Sequence, residues 1–291
     1  MKTIGILYNP RVARAYPLAE EIAAWVEQGG REAQVCTADD APEALCLQET
    51  GLLVTLGGDG SILRAARAAA PHGTLLLGVN LGRVGFLTEA EPETWREVLS
   101  RVLADDCWVE ERAILRVATW RGGEMLGQAE ALNDVVVGRG ALARVVHLRT
   151  EIDGVHLATY VADGLIAATP TGSTAYALAA GGPILPPQLR NILLVPVAPH
   201  LSMERPLVLA EGVTVRIVVT GGRPAVLTVD GEVRAELESG DEVVVETSPH
   251  VACFARVRER TYFYKTLVAR LVPRNQTPNL KSQIPNLESK V

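Results

Sequence analysis

The apolar run Leu52-Leu53-Val54-Thr55-Leu56 ends directly in Gly57-Gly58-Asp59-Gly60, and a helix-forming stretch over 61–70 follows without a gap. A strand that turns through glycines into a helix is the opening half of a parallel crossover, so this unit points to an α/β sheet. Glycine permits positive φ and lets a ligand come close to the backbone. Ser61 is placed to cap the helix, whose first free N–H groups form an anion site. Asp59 is the odd member. A carboxylate facing a phosphate has a task other than attraction, either holding Mg²⁺ or accepting a proton from an attacking hydroxyl. A plain strand-to-helix turn also uses Gly and Asp, and the tetrapeptide alone does not choose between these readings.

The flanking sequence repeats the alternation. Residues 3–8 read as a buried strand broken by Asn9-Pro10. Pro17 opens a helix, 18–27 carry a 3.6-residue period, and Gly29-Gly30 end it. Strands follow over 34–37, 52–56 and 74–79, with helices over 42–48, 61–70 and 93–103. Residues 1–104 are therefore expected to form an α/β domain with a doubly wound parallel sheet. The first strand is not followed by Gly-x-Gly-x-x-Gly, so the usual dinucleotide fingerprint is missing. Ligands of such sheets gather at the strand carboxyl ends, where both 57–60 and the loop from Asn80 to Leu87 fall.

After about residue 105 the pattern shifts to period-two apolar alternation, as in Val213, Val215, Ile217 and Val219. Turn signals recur at Gly122-Gly123, Asp153-Gly154, Gly221-Gly222, Asp230-Gly231 and Ser239-Gly240-Asp241. Residues 105–261 thus read as an antiparallel, β-sandwich-like domain, and the proline-bearing polar stretch 274–291 as a disordered tail.

A net charge of −6 over 291 residues argues against a nucleic-acid partner, which needs a basic face. No apolar run approaches the roughly 18 residues of a membrane span. Cys36, Cys46, Cys107 and Cys253 form no Cys-x-x-Cys pair and read as small core residues of a reduced, cytoplasmic chain.

Two further stretches bear on chemistry. In the run Asp163 to Tyr176 a strand ends at Pro170, and Thr171-Gly172-Ser173-Thr174 crowd hydroxyls ahead of an alanine-rich turn. Thr171 or Ser173 is placed to cap that turn, and Tyr176 offers a ring and a hydroxyl. An N-cap followed by a packed helix has the same look. Asn133-Asp134, ahead of Val135-Val136-Val137, suits the vicinal hydroxyls of a ribose, or equally a strand end. His200 reads as a loop histidine, and no metal-spaced His pair is present.

Taken together, Gly57-Gly58-Asp59-Gly60, Asn80 to Leu87, Asn133-Asp134, Asp163 to Tyr176, Gly181-Gly182-Pro183-Ile184, Pro199-His200-Leu201-Ser202, Arg205 to Leu209 and Tyr262-Phe263-Tyr264 resemble bacterial NAD kinases in order and spacing. The resemblance implies a nucleotide-binding α/β half and a β-rich NAD-binding half, with the chain end 262–273 packing back on the first. It implies transfer of the ATP γ-phosphoryl group to the adenosine 2′-hydroxyl of NAD with Mg²⁺, and leaves polyphosphate as an alternative donor. Asp59 matches the proton acceptor, with Gly60 beside it at the acceptor nucleotide. Asn133 and Asp134 match residues that hold adenosine and ribose. Arg144, Asp163, Thr171, Thr174, Ala175, Tyr176 and Ala179 fall at substrate-contacting positions, and Phe86 at a pocket wall. It supplies no protein metal ligands.

Two positions depart from the family. Val161 stands where many relatives carry a basic residue, and Ala179 where Ser is common. With no cation at Val161, the Asp163 carboxylate is expected to favour NAD⁺ over NADH by roughly tenfold, about 1.4 kcal/mol. The family also implies a homodimer or homotetramer with substrate pockets at subunit contacts; one site is expected to draw Asp59 and Asp163 from different chains, and 145–148 and 192–197 are expected to pair or pack against a second copy. The competing readings are a lipid kinase of the diacylglycerol or sphingoid-base type, which shares the glycine loop, and a non-catalytic NAD-binding sensor.

Overall fold

The computed structural model describes residues 3–38, 47–82, 85–140, 144–200 and 203–271. The helix expected over 42–48 falls mostly outside these residues, and the tail 274–291 wholly so. The first part contains β1 (Thr3–Tyr8), α1 (Ala15–Gln28), β2 (Ala33–Thr37), β3 (Thr50–Gly57), α2 (Asp59–Ala69), β4 (Leu75–Asn80) and α3 (Trp95–Leu103). There follow β5 (Trp108–Arg121), β6 (Glu124–Ala131), β7 (Asp134–Arg139), β8 (Val146–Ile152), β9 (Val155–Ala162), β10 (Gly164–Ala168) and α4 (Tyr176–Ala179). The last elements are β11 (Ile192–Val197), β12 (Leu207–Leu209), β13 (Val215–Thr220), β14 (Ala225–Val229), β15 (Glu232–Leu237), β16 (Glu242–Arg256) and α5 (Tyr262–Leu271).

Strands β2, β1, β3 and β4 pair in parallel in that order. β3 is buried along almost its whole length because helices cover both faces, which explains its unbroken apolar run. On one face Leu18 and Ile22 of α1 and Trp95 and Leu99 of α3 pack on Ile4, Ile6 and Val54. On the other, Ile62 and Ala66 of α2 pack on Leu7, Leu53 and Leu76. The α/β half is doubly wound as expected.

This sheet does not stop at β4. Phe254 near the end of β16 pairs with Leu76, and the sheet continues through β13, β8 and β9, with β5 and β6 also attached, to ten strands. A second, antiparallel sheet runs β12-β11-β10-β7-β14-β15. The two sheets face each other over a core that includes Val135, Leu165 and Leu194 from one and Leu148, Ile217 and Val245 from the other. Along β13 the residues Val215, Ile217 and Val219 are fully buried and alternate with partly exposed ones, as their spacing predicts. The Gly122-Gly123, Asp153-Gly154 and Asp230-Gly231 pairs all have two successive positive φ values, which matches the twist of the hairpins they close.

The strand order removes the pairing half of one expectation, that 145–148 and 192–197 add to a second copy's sheet: β8 lies between β13 and β9, and β11 between β10 and β12. Their backbone groups are already used by neighbours in the same chain, so neither is an open edge. No helix among the described residues is long and apolar enough to cross a membrane.

Candidate functional site

The loop 57–60 lies at the carboxyl ends of the parallel strands. Gly57 pairs with Asn80 at the tips of β3 and β4, and Leu81 N–H donates to Gly57 O at 3.0 Å. The helix begins at Asp59, two residues earlier than its sequence suggests, with Gly58 as N-cap and no side-chain cap. Ser61 is therefore not the cap. It is buried in the first turn, where its Oγ accepts from Asn9 Nδ2 at 3.2 Å and presses so close to Gly57 that a Cβ there would meet it at 2.5 Å. None of the loop glycines has positive φ. A Cβ on Gly58 or Gly60 would meet nothing within 4 Å. The N–H groups of Asp59 and Gly60 have no acceptor among the described residues. Open space and two free donors at a helix N-terminus suit phosphate oxygens.

Asp59 is held over the next loop. Its Oδ2 accepts from the Phe86 N–H at 3.4 Å and stands 3.8 Å from a guanidinium nitrogen of Arg270 on α5. Its Oδ1 is buried and has no hydrogen-bond partner among the described residues. The same oxygen would sit 1.9 Å from a Cβ on Gly85, so only glycine lets the carboxylate lie where it does. Phe86 forms a buried wall with Tyr262 and Phe263, and Arg270 stacks 4.8 Å from the Phe86 ring.

The hydroxyl run joins Asn133 by direct backbone contact. A Cβ on Gly172 would fall 2.0 Å from Asn133 O, and Thr169 N–H donates to that oxygen at 2.9 Å. Neither Thr171 nor Ser173 caps the alanine-rich turn, whose N-cap is Ala175 with no side-chain hydrogen bond; Thr169 Oγ1 accepts from Gly172 N–H at 3.0 Å and donates to Leu132 O. Ser173 is buried between Pro170 O and Leu185 N–H and is structural. Thr171 Oγ1 instead accepts from Arg112 at 3.0 Å, and Thr174 donates to Thr171 O at 3.1 Å. Tyr176 and Ala179 are exposed beyond it, and Ala175 is half-buried.

Asp134 is 5% exposed, with a second carboxylate, Asp230, beside its backbone. Asp230 accepts the N–H groups of Leu132, Asn133 and Asp134 at 3.0, 2.8 and 3.2 Å, and is paired with Arg67 of α2 at 3.0 Å. Burial, and secondly the charge of Asp230, push the Asp134 carboxyl up to about 7. Sequence reading took Asp230 only as a turn residue.

A buried polar network ties these parts together. Arg256 donates to Glu110, Glu89 and the carbonyls of Phe86, Leu87 and Thr88. Glu110 also accepts from Arg112 at 2.9 Å and from the Tyr262 hydroxyl at 2.7 Å. Burial works against the Glu110 charge, but Arg112 and Arg256 outweigh it and hold its carboxyl below the ordinary range. The network runs from the loop that holds Asp59 to the Thr171 hydroxyl. Part of its sequence signal was available: Arg256 ends the apolar run 251–255, where a core admits a charge only when it is paired, whereas Arg112 follows Glu110-Glu111 and reads as an ordinary charged stretch.

Asp163 and Arg144 lie elsewhere. Gly164 pairs with Gly138, whereas Ala168 at the other end of β10 pairs with Asp134. Four strand residues, about 14 Å, separate the two ends. Asp163 is not short of a cation, since Arg139 lies 3.1 Å away. The cation missing at Val161 is supplied from β7, which removes the reason to expect a NAD⁺ preference from an uncompensated Asp163. Arg144 is exposed. One chain thus brings Asp59, Gly60, Phe86, Asn133, Asp134, Thr171 and Thr174 into one connected arrangement and holds Asp163 apart.

No three His, Cys, Asp or Glu side chains among the described residues form a metal cluster. Asp59 Oδ1, without a hydrogen-bond partner among the described residues, is open to a hydroxyl proton or to a water of a divalent ion carried mainly by phosphate oxygens.

Residues 40–107 match the model of the ATP-NAD kinase N-terminal domain, and 132–257 that of the ATP-NAD kinase C-terminal domain. The chain is similar to the NAD kinase of Chloroflexus aurantiacus, with 41% identity over 93% of this chain and 99% of that one. It is also similar to the NAD kinase of Koribacter versatilis, at 39% over 93% and 98%. Among solved structures, yeast NADH kinase complexed with NADH matches with a TM-score of 0.79 at 25% identity, over 96% of this chain and 90% of that one. An NAD kinase from Archaeoglobus fulgidus in complex with ATP gives 0.73 at 25%, over 92% and 98%.

Proposed function

This chain belongs to the ATP-NAD kinase family, and from that premise we propose that it transfers the γ-phosphoryl group of ATP to the adenosine 2′-hydroxyl of NAD, giving NADP. The observation that carries the residue assignment is the buried Asp59 Oδ1, a carboxylate oxygen without a partner, next to two N–H donors and the open space over Gly58 and Gly60.

Phosphoryl transfer asks for positioning and charge neutralisation more than covalent help. The N–H groups of Asp59 and Gly60 hold phosphate oxygens. Asp59 Oδ1 accepts the 2′-hydroxyl proton, while the Phe86 N–H and Arg270 keep its Oδ2 in place. Asn133 and Asp134 hold the adenosine and its ribose, with Phe86 as a wall. Thr171, Thr174, Ala175, Tyr176 and Ala179 border the acceptor nucleotide. Asp59 would help to hold Mg²⁺ beside the donor phosphates, and the ion would supply neutralisation of their charge.

Asp163 and Arg144 complete the acceptor site of a neighbouring subunit in a homodimer or homotetramer, a reading supported by their separation from Asn133 along β10. We assign the chain to the cytoplasm, in keeping with the free thiols of Cys107 and Cys253. The test is the product: incubation with ATP, Mg²⁺ and NAD, followed by phosphorus NMR, is expected to show a new 2′-phosphate monoester. Phosphate at another position, or no transfer, overturns the assignment.

A further inference from the structure

A second cleft, of about 500 Å³, opens between the C-terminal end of α2 and the strands β5, β6, β15 and β16. It lies at the opposite end of α2 from Asp59. Three guanidiniums line it, those of Arg67, Arg116 and Arg234, together with Gln128, Glu130 and His250. The sole lining carboxylate, Glu130, is already engaged by the Ser248 hydroxyl and by His250 Nδ1 at 2.8 Å. The lining thus sets three guanidiniums against one carboxylate, while each guanidinium is also paired with a carboxylate outside the cleft.

The carboxylates that hold these guanidiniums do not line the cleft. Arg116 gives one nitrogen to Glu246 at 2.7 Å, and Arg234 one to Glu232 at 2.6 Å. Arg67 gives one to Asp230 and one to Glu232, both at 3.0 Å. The remaining nitrogens of Arg116 and Arg234 have no acceptor among the described residues. A guanidinium fixed by one carboxylate and left with unused donors is prepared for a second anion, which it binds through a planar fork. The pairs at Arg116 and Arg234 are partly exposed, so a ligand that competes for these cations displaces little.

We propose that this cleft is an effector site for a small organic polyanion carrying two or more carboxylate or phosphate groups. No Phe, Tyr or Trp is among its lining residues, and three guanidiniums converge on a compact space, so a sugar bisphosphate or a polycarboxylate fits better than a nucleotide. Arg67 gives the site its connection to catalysis. Its guanidinium reaches the cleft and also holds Asp230, whose carboxylate receives the N–H groups of Leu132, Asn133 and Asp134. An anion that draws on Arg67 changes the support of the segment assigned here to the acceptor ribose, and therefore the KM for NAD.

The experiment uses the full chain with NAD at saturation, so that the nucleotide site is filled. Calorimetric titration with citrate and with fructose 1,6-bisphosphate is expected to show one saturable site for at least one of them, at Kd below roughly 1 mM and weaker at higher salt. The double variant Arg116→Gln/Arg234→Gln is expected to lose at least about tenfold in that affinity while keeping its basal kcat and KM. At fixed free Mg²⁺ the bound probe is expected to shift the KM for NAD at least about twofold in the parent and not in the variant. Failure of both probes to saturate, or equal affinity in parent and variant, overturns the site. Saturable binding with an unchanged KM overturns its effector role. The calorimetric arm reads binding without turnover, so failure of the kinase assignment stays separate.

Discussion

Asp230 accepts the backbone N–H of Asp134 at 3.2 Å and donates its own N–H to Asp134 O at 2.9 Å, which sets two carboxylates side by side at one strand end. The closure of the β14–β15 hairpin, where Asp230 has φ of +48°, is thus also the support of the proposed ribose site. Placing the second charge there raises the Asp134 carboxyl to about 7, burial being the larger cause.

That value predicts a pH dependence close to neutrality. If the ionised carboxylate accepts ribose hydroxyls, the KM for NAD rises as pH falls through about 7 and is flat above it. Stability moves the other way. The folded state retains a proton that the unfolded chain has released above about 4, so this group's stabilisation is complete below that pH and is lost as pH rises through about 7. A KM profile between pH 5.5 and 8.5, repeated on Asp134→Asn, checks both: the variant profile is expected to be flat and its melting temperature less dependent on pH.

Asp59→Asn is expected to keep NAD affinity within a few-fold and to lower kcat by about 10²- to 10⁴-fold, the usual contribution of a positioned base. Titration of NAD binding alongside kcat makes the comparison, and near-normal turnover would reduce Asp59 to a turn residue.

Gly85→Ala places a methyl group 1.9 Å from Asp59 Oδ1. The carboxylate must move, so the loss in kcat is expected to approach that of Asp59→Asn, by at least about a hundredfold. The far-UV spectrum should be unchanged. Turnover within a few-fold of the parent would mean that Asp59 does not act from this position.

Arg256→Met removes the cation shared by Glu89 and Glu110, both with fully buried side chains. Glu110 keeps Arg112 and Glu89 keeps Arg258, so the loss is expected at or below the low end of the about 3–5 kcal/mol for breaking a buried pair, and for a chain of this size each kcal/mol corresponds to roughly 2–4 °C in Tm. Thermal unfolding followed by circular dichroism measures it, and a drop of less than about 3 °C would show that the network contributes little.

The shared acceptor site predicts complementation. Asp59→Asn and Asp163→Asn are each expected to be poor alone, and co-expressed subunits to form mixed dimers with one intact site. With random pairing, about half of the dimers are mixed and roughly a quarter of all sites are restored. No regain, in samples shown by mass spectrometry to contain mixed dimers, places both residues in one chain.

The features legible in sequence were local ones. Asp153-Gly154 and Asp230-Gly231 close hairpins because their backbones favour the required positive φ, and β13 displays its buried face by simple alternation. The Asp59 loop was visible because three glycines around a carboxylate are locally unusual. What stayed hidden depends on residues distant in the chain. Arg139 compensates Asp163, Arg67 holds Asp230, and Arg112 reaches Thr171. Each such pair needs a fold to bring it together, and spacing along the chain does not reveal it. The early placement of Ser61 as a cap failed for a related reason: Asn9, from β1's loop, claims its hydroxyl.

The seam between Leu76 and Phe254 bears on how this molecule is made. Leu76 leaves the ribosome well before Phe254 and has to wait for its partner strand. Until then the parallel strands end in an unpaired, apolar border, the kind of surface on which nascent chains stick to one another. Pairings this distant in sequence also close slowly. Completion of the α/β half is therefore tied to the arrival of β16, and the two halves are expected to mature together rather than one after the other during synthesis.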